Sequence, residues 1–350
     1  MQKETIQLNT CLPLIVRWYA CARRDLPWRR TREPYHIWLS EIMLQQTRIE
    51  AVIPYYHRFL SRFPDIRALA QAEDAQLVKL WEGLGYYSRV RYLKKAAVLI
   101  MERYGGELPR QAAELKKLPG IGDYTAGAIS SIAFGEPEPA VDGNVLRVIT
   151  RVLACGEDIR LAGTRSRITE LLRRCYPAGE DAALLTEGIM ELGETVCIPN
   201  GEARCRECPL QAHCLAHKNG IEAQFPVKSP MKKRRVEEKT VLLFHREGKY
   251  GIRRRPDKGL LAGMWEFPNA EGRLSQTEAE AYGEALGLSV YACSPCAPQK
   301  HIFTHVEWQM SAYLIECAGE NGDLLWKSPE EIRKDYAVPA AFRFYLESIN

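Results

Sequence analysis

LPGIGDYTAGAIS, residues Leu118 to Ser130, sets a Gly-Ile-Gly turn directly in front of a run of small residues with helical composition. Glycines let main-chain N–H groups point outward, and the start of a helix adds partial positive charge, so such a turn can hold an anion. What surrounds the turn decides whose anion it is. A nucleotide loop of the P-loop type requires GxxxxGK[ST], and this chain has no such lysine. A dinucleotide loop requires a strand in front, whereas QAAELKKLP (Gln111–Pro119) reads as helix. Helix, glycine turn, helix is the hairpin that grips a nucleic-acid backbone phosphate without reading sequence, which makes Gly120 and Gly122 candidate DNA contacts. A plain helix–helix turn carries the same letters.

Outward from the hairpin, the pattern is helical from about residue 8 to 196. YHIWLSEIMLQQ (Tyr35–Gln46), LVKLWEGL (Leu77–Leu84) and RVRYLKKAAVLIMERY (Arg89–Tyr104) carry apolar residues at three- and four-residue spacing. Breaks fall at GGELP (Gly105–Pro109), GEPEP (Gly135–Pro139) and YPAGE (Tyr176–Glu180). A segment rich in Pro, Ser and charge, 223–238, with its KKRR run, reads as an exposed linker. Beyond it the period changes. TVLLFHREGKYGIRRR (Thr240–Arg255) reads as strand, Glu-Gly turn, strand. SQTEAEAYGEALG (Ser275–Gly287) has helical composition with Ser275 or Thr277 as cap, HIFTHVEWQMSAYLIE (His301–Glu316) alternates like a strand pair, and PAAFRFYLESI (Pro339–Ile349) reads as a closing helix. The expected architecture is multidomain: an all-α domain over 1–222, a linker over 223–238, and a smaller α+β domain over 239–350.

Composition agrees with two ordinary globular cores: 350 residues, 46% hydrophobic and 26% charged. A net charge of +4 does not force a polyanionic partner, so any nucleic-acid surface must be a local patch. The longest apolar runs, such as LPLIV (Leu12–Val16), are far shorter than the roughly 18 residues of a membrane helix. The N-terminus lacks a signal-peptide core, and a cytoplasmic monomer is expected.

Of eleven cysteines, Cys197, Cys205, Cys208 and Cys214 cluster in CIPNGEARCRECPLQAHC with C-x7-C-x2-C-x5-C spacing. Four thiolates on a compact loop can wrap one metal centre, and an all-cysteine set suits zinc or a [4Fe–4S] cluster alike. His213 and His217 are expected as spectators, since four thiolates already complete a tetrahedral set. CSPC (Cys293–Cys296) has redox-pair spacing but no thioredoxin-like context.

The glycine hairpin, VDGNVLRV (Val141–Val148) and then the four-cysteine loop together resemble the helix-hairpin-helix base-excision glycosylases, almost continuously over residues 8 to 214. LPWRR (Leu26–Arg30), PYHIWLSEIMLQQT (Pro34–Thr47) and GLGYYSR (Gly83–Arg89) are similar to the MutY-type adenine DNA glycosylases, which remove adenine mispaired with 8-oxoguanine. The resemblance implies a helical glycosylase domain with a [4Fe–4S] loop at 197–214, and duplex DNA carrying A:8-oxoG or A:G mispairs as partner. In the family, adenine leaves once its ring nitrogen is protonated, so one carboxylic acid must be neutral. Glu41, between Trp38, Ile42 and Leu44, stands in surroundings that raise a carboxyl pKa. By resemblance Glu41 protonates N7 of the flipped adenine and then assists water. Asp142 matches the aspartate that stabilises the oxocarbenium-like sugar, with Asn144 ordering the pair by hydrogen bonding.

Tyr124 stands where lyase-competent relatives of the endonuclease III type carry a lysine; tyrosine forms no imine, so the implied enzyme is monofunctional. Extrusion of the adenine requires the stack to be probed and filled, and Gln46, Leu84 and Tyr86 match the family positions that do so. Arg24, Arg29, Arg30 and Arg89 are candidate phosphate partners.

The C-terminal segment resembles the Nudix-like domain these glycosylases use to inspect 8-oxoguanine, through GLLAGMWEFP (Gly259–Pro268) and HIFTHVEW (His301–Trp308). EAYGEALGL (Glu280–Leu288) keeps Glu284 and loses the other two glutamates of the metal-binding helix, so no nucleotide hydrolysis is expected there. The family's Phe-Ser-His is here Phe303-Thr304-His305, and threonine retains the hydroxyl. Three other classes compete: a glycosylase/lyase for damaged pyrimidines, a Nudix hydrolase with a DNA-binding appendage, and a non-catalytic iron–sulfur damage sensor. The missing lysine disfavours the first and the degenerate metal helix the second; the third requires Glu41 and Asp142 to be idle.

Overall fold

Helices form where the three- and four-residue periodicity ran, and strands only after the period changes. The computed structural model describes residues 2–230 and 233–349. Its contacts form two compact units: one takes the chain up to Ala72 and again from Arg91 to Pro230, the other takes Glu73–Val90 together with the residues after Pro230. The strands begin at Arg235, so 235–238 of the segment expected as linker is already sheet. Lys232 of the basic run lies outside the described residues. Among the described residues no helix is long and apolar enough to cross a membrane.

In the helical unit, Leu8, Leu12 and Ile15 of the helix Gln2–Ala22 pack with Leu146 and Ile149 of Gly143–Leu153 and with Leu185, Ile189 and Leu192 of Glu180–Thr195. Each such side chain, fully buried, contributes about 1.5–3 kcal/mol. The opening hairpin is a short helix, Ala112–Leu115, then the glycine turn, then the helix Asp123–Phe134, with Gly122 as N-cap and Gly135 closing it in the left-handed region. Leu118 and Ile121 are buried and root the turn. Gly120 has φ +79°, and a Cβ there would stand 2.6 Å from Cβ of Tyr92, so no other residue fits. Gly127 lets the helix Asp123–Phe134 touch the extended segment before Asp142: a Cβ would fall 2.4 Å from the carbonyl oxygen of Pro139.

The second unit is built on one sheet. Its strands are β1 (Arg235–Arg246), β2 (Lys249–Arg254), β3 (Trp265–Glu266), β4 (Asn269–Glu271), β5 (Ser289–Ile302), β6 (Val306–Ala318) and β7 (Leu325–Lys327). The order is β3-β2-β1-β6-β5, with β4 paired to β1 and β7 to β2; β1 and β6 run parallel. Glu247 and Gly248 both have positive φ, the geometry of the tight β1–β2 hairpin expected from the Glu-Gly pair. Ser275 caps the helix Gln276–Ala285 in a capping box with Glu278. That helix covers one face of the sheet (Leu242, Phe244, Ile315), and the helices Pro329–Asp335 and Arg343–Ser348 cover the other (Leu243, Trp308, Phe342). Cys293 packs into the first core and Cys296 into the second, so the two thiols of CSPC face opposite sides of the sheet.

Candidate active site

A pocket of about 210 Å3 opens in the helical unit where three elements converge: the helix Pro34–Leu44, the hairpin helix Asp123–Phe134, and the N-terminus of Gly143–Leu153. Glu41, Tyr124, Asp142 and Asn144 all line it. Glu41 projects from the first helix with only 6% of its surface exposed, and the Tyr124 hydroxyl donates to its Oε2 at 2.8 Å. Burial pushes the Glu41 carboxyl up to about 7, against the hydrogen bond from Tyr124, with the nearby charges of Glu187 and Asp142 adding to the rise. Burial and the neighbouring Glu41 hold Tyr124 well above the usual phenol range, so its hydroxyl stays a donor.

Asp142 is the N-cap of its helix. Its Oδ1 accepts from the Val145 amide at 2.8 Å and its Oδ2 from Asn144 Nδ2 at 2.8 Å. Burial raises this carboxyl too, but the Val145 and Asn144 donors and the Arg147 charge work against that rise. Two carboxyls therefore line one pocket in different settings: Glu41 buried near two other acidic groups with a donor from Tyr124, Asp142 at a helix N-terminus with donors to both oxygens. A carboxyl raised to about 7 is protonated in part at neutral pH, and with Asp142, whose two oxygens each accept a hydrogen bond, it forms a pair able to protonate a leaving group and to stabilise a developing cation.

Asn144 is positioned in turn by Arg147, whose guanidinium donates to Asn144 Oδ1 at 2.7 Å, to Gly193 O at 2.6 Å and to Cys197 O at 2.7 Å. Arg147 is 5% exposed, so removing it leaves one buried and two part-buried acceptors without their donor. An Arg147→Gln protein should lose about 3 kcal/mol of stability in denaturant titrations, and its excision rate should fall more than that of Arg147→Lys, which keeps a donor.

The helix Glu180–Thr195 supplies a wall that sequence reading missed. Glu187, Met190 and Glu194 line the pocket, and Glu191, 1% exposed, sits behind it. Arg24 donates to Glu191 at 2.5 and 2.8 Å and to Glu194 at 2.7 Å, and Arg29 donates to Glu191 at 2.8 Å. Burial alone would raise Glu191, but the hydrogen bonds from Arg24 and Arg29 outweigh it and hold the carboxyl low. Glu187 faces Arg32 at 3.2 Å, and burial, opposed by Arg32 and Arg29, raises it. Arg24 and Arg29, expected at DNA phosphates, are thus held in carboxylate pairs within the pocket wall, and exposed Arg30 pairs with Asp25. The readable signal was an acidic residue every three or four positions on an otherwise apolar helix, LLTEGIMELGE.

Gln46, just past the helix Pro34–Leu44, is exposed with φ 58°. Gly120 and Gly122 are exposed at the hairpin turn. In the second unit, Gly83, Gly85 and Tyr86 all have positive φ. Tyr86 is 47% exposed, whereas Leu84, expected as a wedge, is buried. Arg89 is also buried: its guanidinium donates to the carbonyls of Leu84 and Gly85, and burial lowers its pKa to about 10. It ties the loop together through these two carbonyls. Phe303 packs edge-on against Trp308, while Thr304 and His305 stand exposed in the β5–β6 turn. The Thr304 hydroxyl lies 2.8 Å from that of Tyr86.

Cys197, Cys205, Cys208 and Cys214 line one small cavity with Arg151, His217 and Glu222. Arg151, itself buried, donates to Cys197 Sγ at 3.3 Å, a cation suited to balancing anionic sulfur. His217 is engaged with Glu222 at 2.6 Å. The donor set fits a four-thiolate metal centre, mononuclear or clustered.

Two family models match the chain: the HhH-GPD superfamily of base excision DNA repair proteins over residues 39–174, and the NUDIX domain over 240–348. An adenine DNA glycosylase of Rattus norvegicus is 32% identical, the match covering 95% of this chain and 77% of the rat protein. That of Homo sapiens is 35% identical over 87% of this chain and 67% of its own. That of Buchnera aphidicola (strain APS) is 28% identical over 91% and 93%. Among solved structures, a thermostable thymine-DNA glycosylase superposes with TM-score 0.56 at 28% identity, covering 62% of this chain and 98% of its own. Endonuclease III in a non-covalent DNA complex gives 0.52 at 25%, with the same coverage.

Proposed function

The chain belongs to the adenine DNA glycosylases, hydrolases of base excision repair, and from that premise we propose that its substrate is adenine mispaired with 8-oxoguanine or guanine in duplex DNA. The observation that carries the mechanism is the buried Glu41 carboxyl, raised to about 7 and bonded to Tyr124, in one pocket with the capped carboxylate of Asp142. The adenine is extruded into this pocket, since its glycosidic bond cannot be reached inside the stack. Protonated Glu41 gives its proton to N7 of the base. The N-glycosidic bond breaks, the electron pair leaves with adenine, and Asp142 faces the cationic sugar. Water then adds to the sugar carbon and Glu41 recovers a proton. Tyr124 offers no amine for an imine, so the strand stays intact.

The glycine hairpin grips the backbone through the amides at its helix start, and the helical domain, 1–222, carries the chemistry. The C-terminal domain, whose sheet begins at Arg235, inspects 8-oxoguanine through Phe303, Thr304 and His305 and hydrolyses no nucleotide. Cys197, Cys205, Cys208 and Cys214 hold a [4Fe–4S] cluster that fixes the loop of exposed Arg204 and Arg206. The four-thiolate set fits zinc equally, and the choice of iron rests on the family resemblance.

Duplexes carrying A:8-oxoG, A:G, A:C or thymine glycol, incubated with the protein and then with or without alkali, test the reading. Breakage is expected only at adenine opposite 8-oxoguanine or guanine, and only after alkali. Breakage without alkali, or at thymine glycol, contradicts it. The same preparation should contain iron and sulfide and absorb broadly in the visible.

A further inference from the structure

Residues 73–90 interrupt the helical domain in sequence yet fold with the C-terminal unit. The contact that fastens them is specific. The Lys79 ammonium donates to the carbonyls of Arg333 at 2.6 Å and Tyr336 at 3.2 Å, the orphan carbonyls at the end of the helix Pro329–Asp335. One turn on, Glu82 pairs with Lys79 at 2.6 Å and accepts the Val338 amide at 3.1 Å. Both side chains are about three-quarters buried, with 27% and 25% of their surface exposed, so solvent screens these bonds only in part. The receiving strap is itself rooted: the Trp265 amide donates to Ala337 O, Tyr336 stacks edge-on with Trp265, and Val338 lies in the core.

From this clamp hangs the loop 83–89, cross-linked internally. Trp81 Nε1 donates to Gly85 O at 3.0 Å, the Tyr87 hydroxyl accepts the Gly83 amide, and Arg89 holds two carbonyls. Its tip, Tyr86, sits at φ 49°, a conformation costing about 1–3 kcal/mol that persists only when its surroundings over-determine it. A second tie, the hydroxyl pair Tyr86–Thr304, joins the tip to the β5–β6 turn.

We infer that Lys79 and Glu82 are positioning residues for mispair discrimination: they make the 83–89 loop part of the C-terminal unit, so that Tyr86 and Thr304 meet the orphan base as one preorganised element. This rests on the 8-oxoguanine reading above. The clamp touches no substrate and lies outside the catalytic pocket, so it acts on the ordering cost of recognition and not on bond cleavage.

The test uses the full chain and two readouts. Single-turnover excision is measured on A:8-oxoG and A:G duplexes, and hydrogen exchange of peptides spanning 83–89 is followed without DNA. For the double variant Lys79→Met, Glu82→Met, the A:8-oxoG over A:G rate ratio should fall roughly tenfold, the worth of one charge-assisted hydrogen bond. Exchange in 83–89 should accelerate, while the A:G rate holds. Lys79→Arg, which keeps the donors, should retain both. Unchanged exchange in 83–89 overturns the inference whatever the rates do, as does a ratio unchanged in a protein that prefers 8-oxoguanine. A wild-type protein with no such preference sinks the reading of Phe303, Thr304 and His305 as 8-oxoguanine contacts instead, and the exchange experiment still decides whether the clamp orders the loop.

Discussion

A Glu41→Gln protein should bind its mispaired duplex and excise adenine roughly 10³-fold more slowly, the usual worth of a general acid. Glutamine keeps the shape and can still accept from Tyr124, so the pocket survives; what goes is the transferable proton. The pH profile separates this role from a packing role. Because burial raises Glu41 to about 7, its acid form dominates below that pH, and the wild-type rate should fall as pH rises through 7. That limb should vanish from the residual activity of the variant. Stability follows the same pH direction. The folded carboxyl binds its proton more tightly than the unfolded one, so this group's contribution is fully present near pH 4 and is lost as pH rises from 4.5 through 7. Above pH 7 the native state therefore bears the cost of a buried charge, and Glu41→Gln should be the more stable protein there by on the order of 1–3 kcal/mol. Single-turnover rates and denaturant titrations at pH 5.5 and 8.5 check both statements. Near-normal excision, or an unchanged pH limb, removes Glu41 from the role of acid.

Local chemistry was legible in the sequence wherever it was enough to determine the outcome. The hairpin could be read because Gly120 and Gly122 have few other uses between two amphipathic stretches, and Ser275 because a capping box lies within four consecutive positions. The convergence of the cysteine quartet could be read because all four thiols sit in one loop. Pairings across the chain could not. Glu191 meets Arg24 and Arg29 across more than 160 positions, and nothing in an arginine's neighbours distinguishes a paired guanidinium from a solvated one. The burial of Arg89 and Leu84 was out of reach for the same reason: burial is decided by the fold, not by the residue. Strand β5 was read only at its end, since Pro295 and Pro298 look like breakers. It lies at the edge of the sheet, where proline is tolerated, and its register shifts between Cys296 and Gln299 beside the second proline.

Asp142→Asn should abolish excision as thoroughly as Glu41→Gln while leaving the helix in place. An ionised carboxylate facing a developing sugar cation in a buried site stabilises it by several kcal/mol, so roughly 10³-fold or more of rate is at stake. Asparagine caps helices about as well as aspartate, but here it meets a conflict. One carboxylate oxygen takes the Val145 amide and the other takes Asn144 Nδ2, so an NH2 at either position opposes a donor. Asn144 cannot simply flip, because its Oδ1 is held by Arg147. The Asn variant should therefore also be destabilised, by about 1–2 kcal/mol, and its inactivity alone would be ambiguous. Asp142→Ser resolves this. Serine caps through the Val145 amide with a single oxygen, creates no donor–donor contact, and carries no charge. If charge is what the reaction needs, Asp142→Ser should melt close to wild type and yet excise as slowly as Asp142→Asn, with duplex affinity retained in both. If Asp142→Ser instead keeps substantial activity, the capped geometry was the requirement and Asp142 is no cation stabiliser.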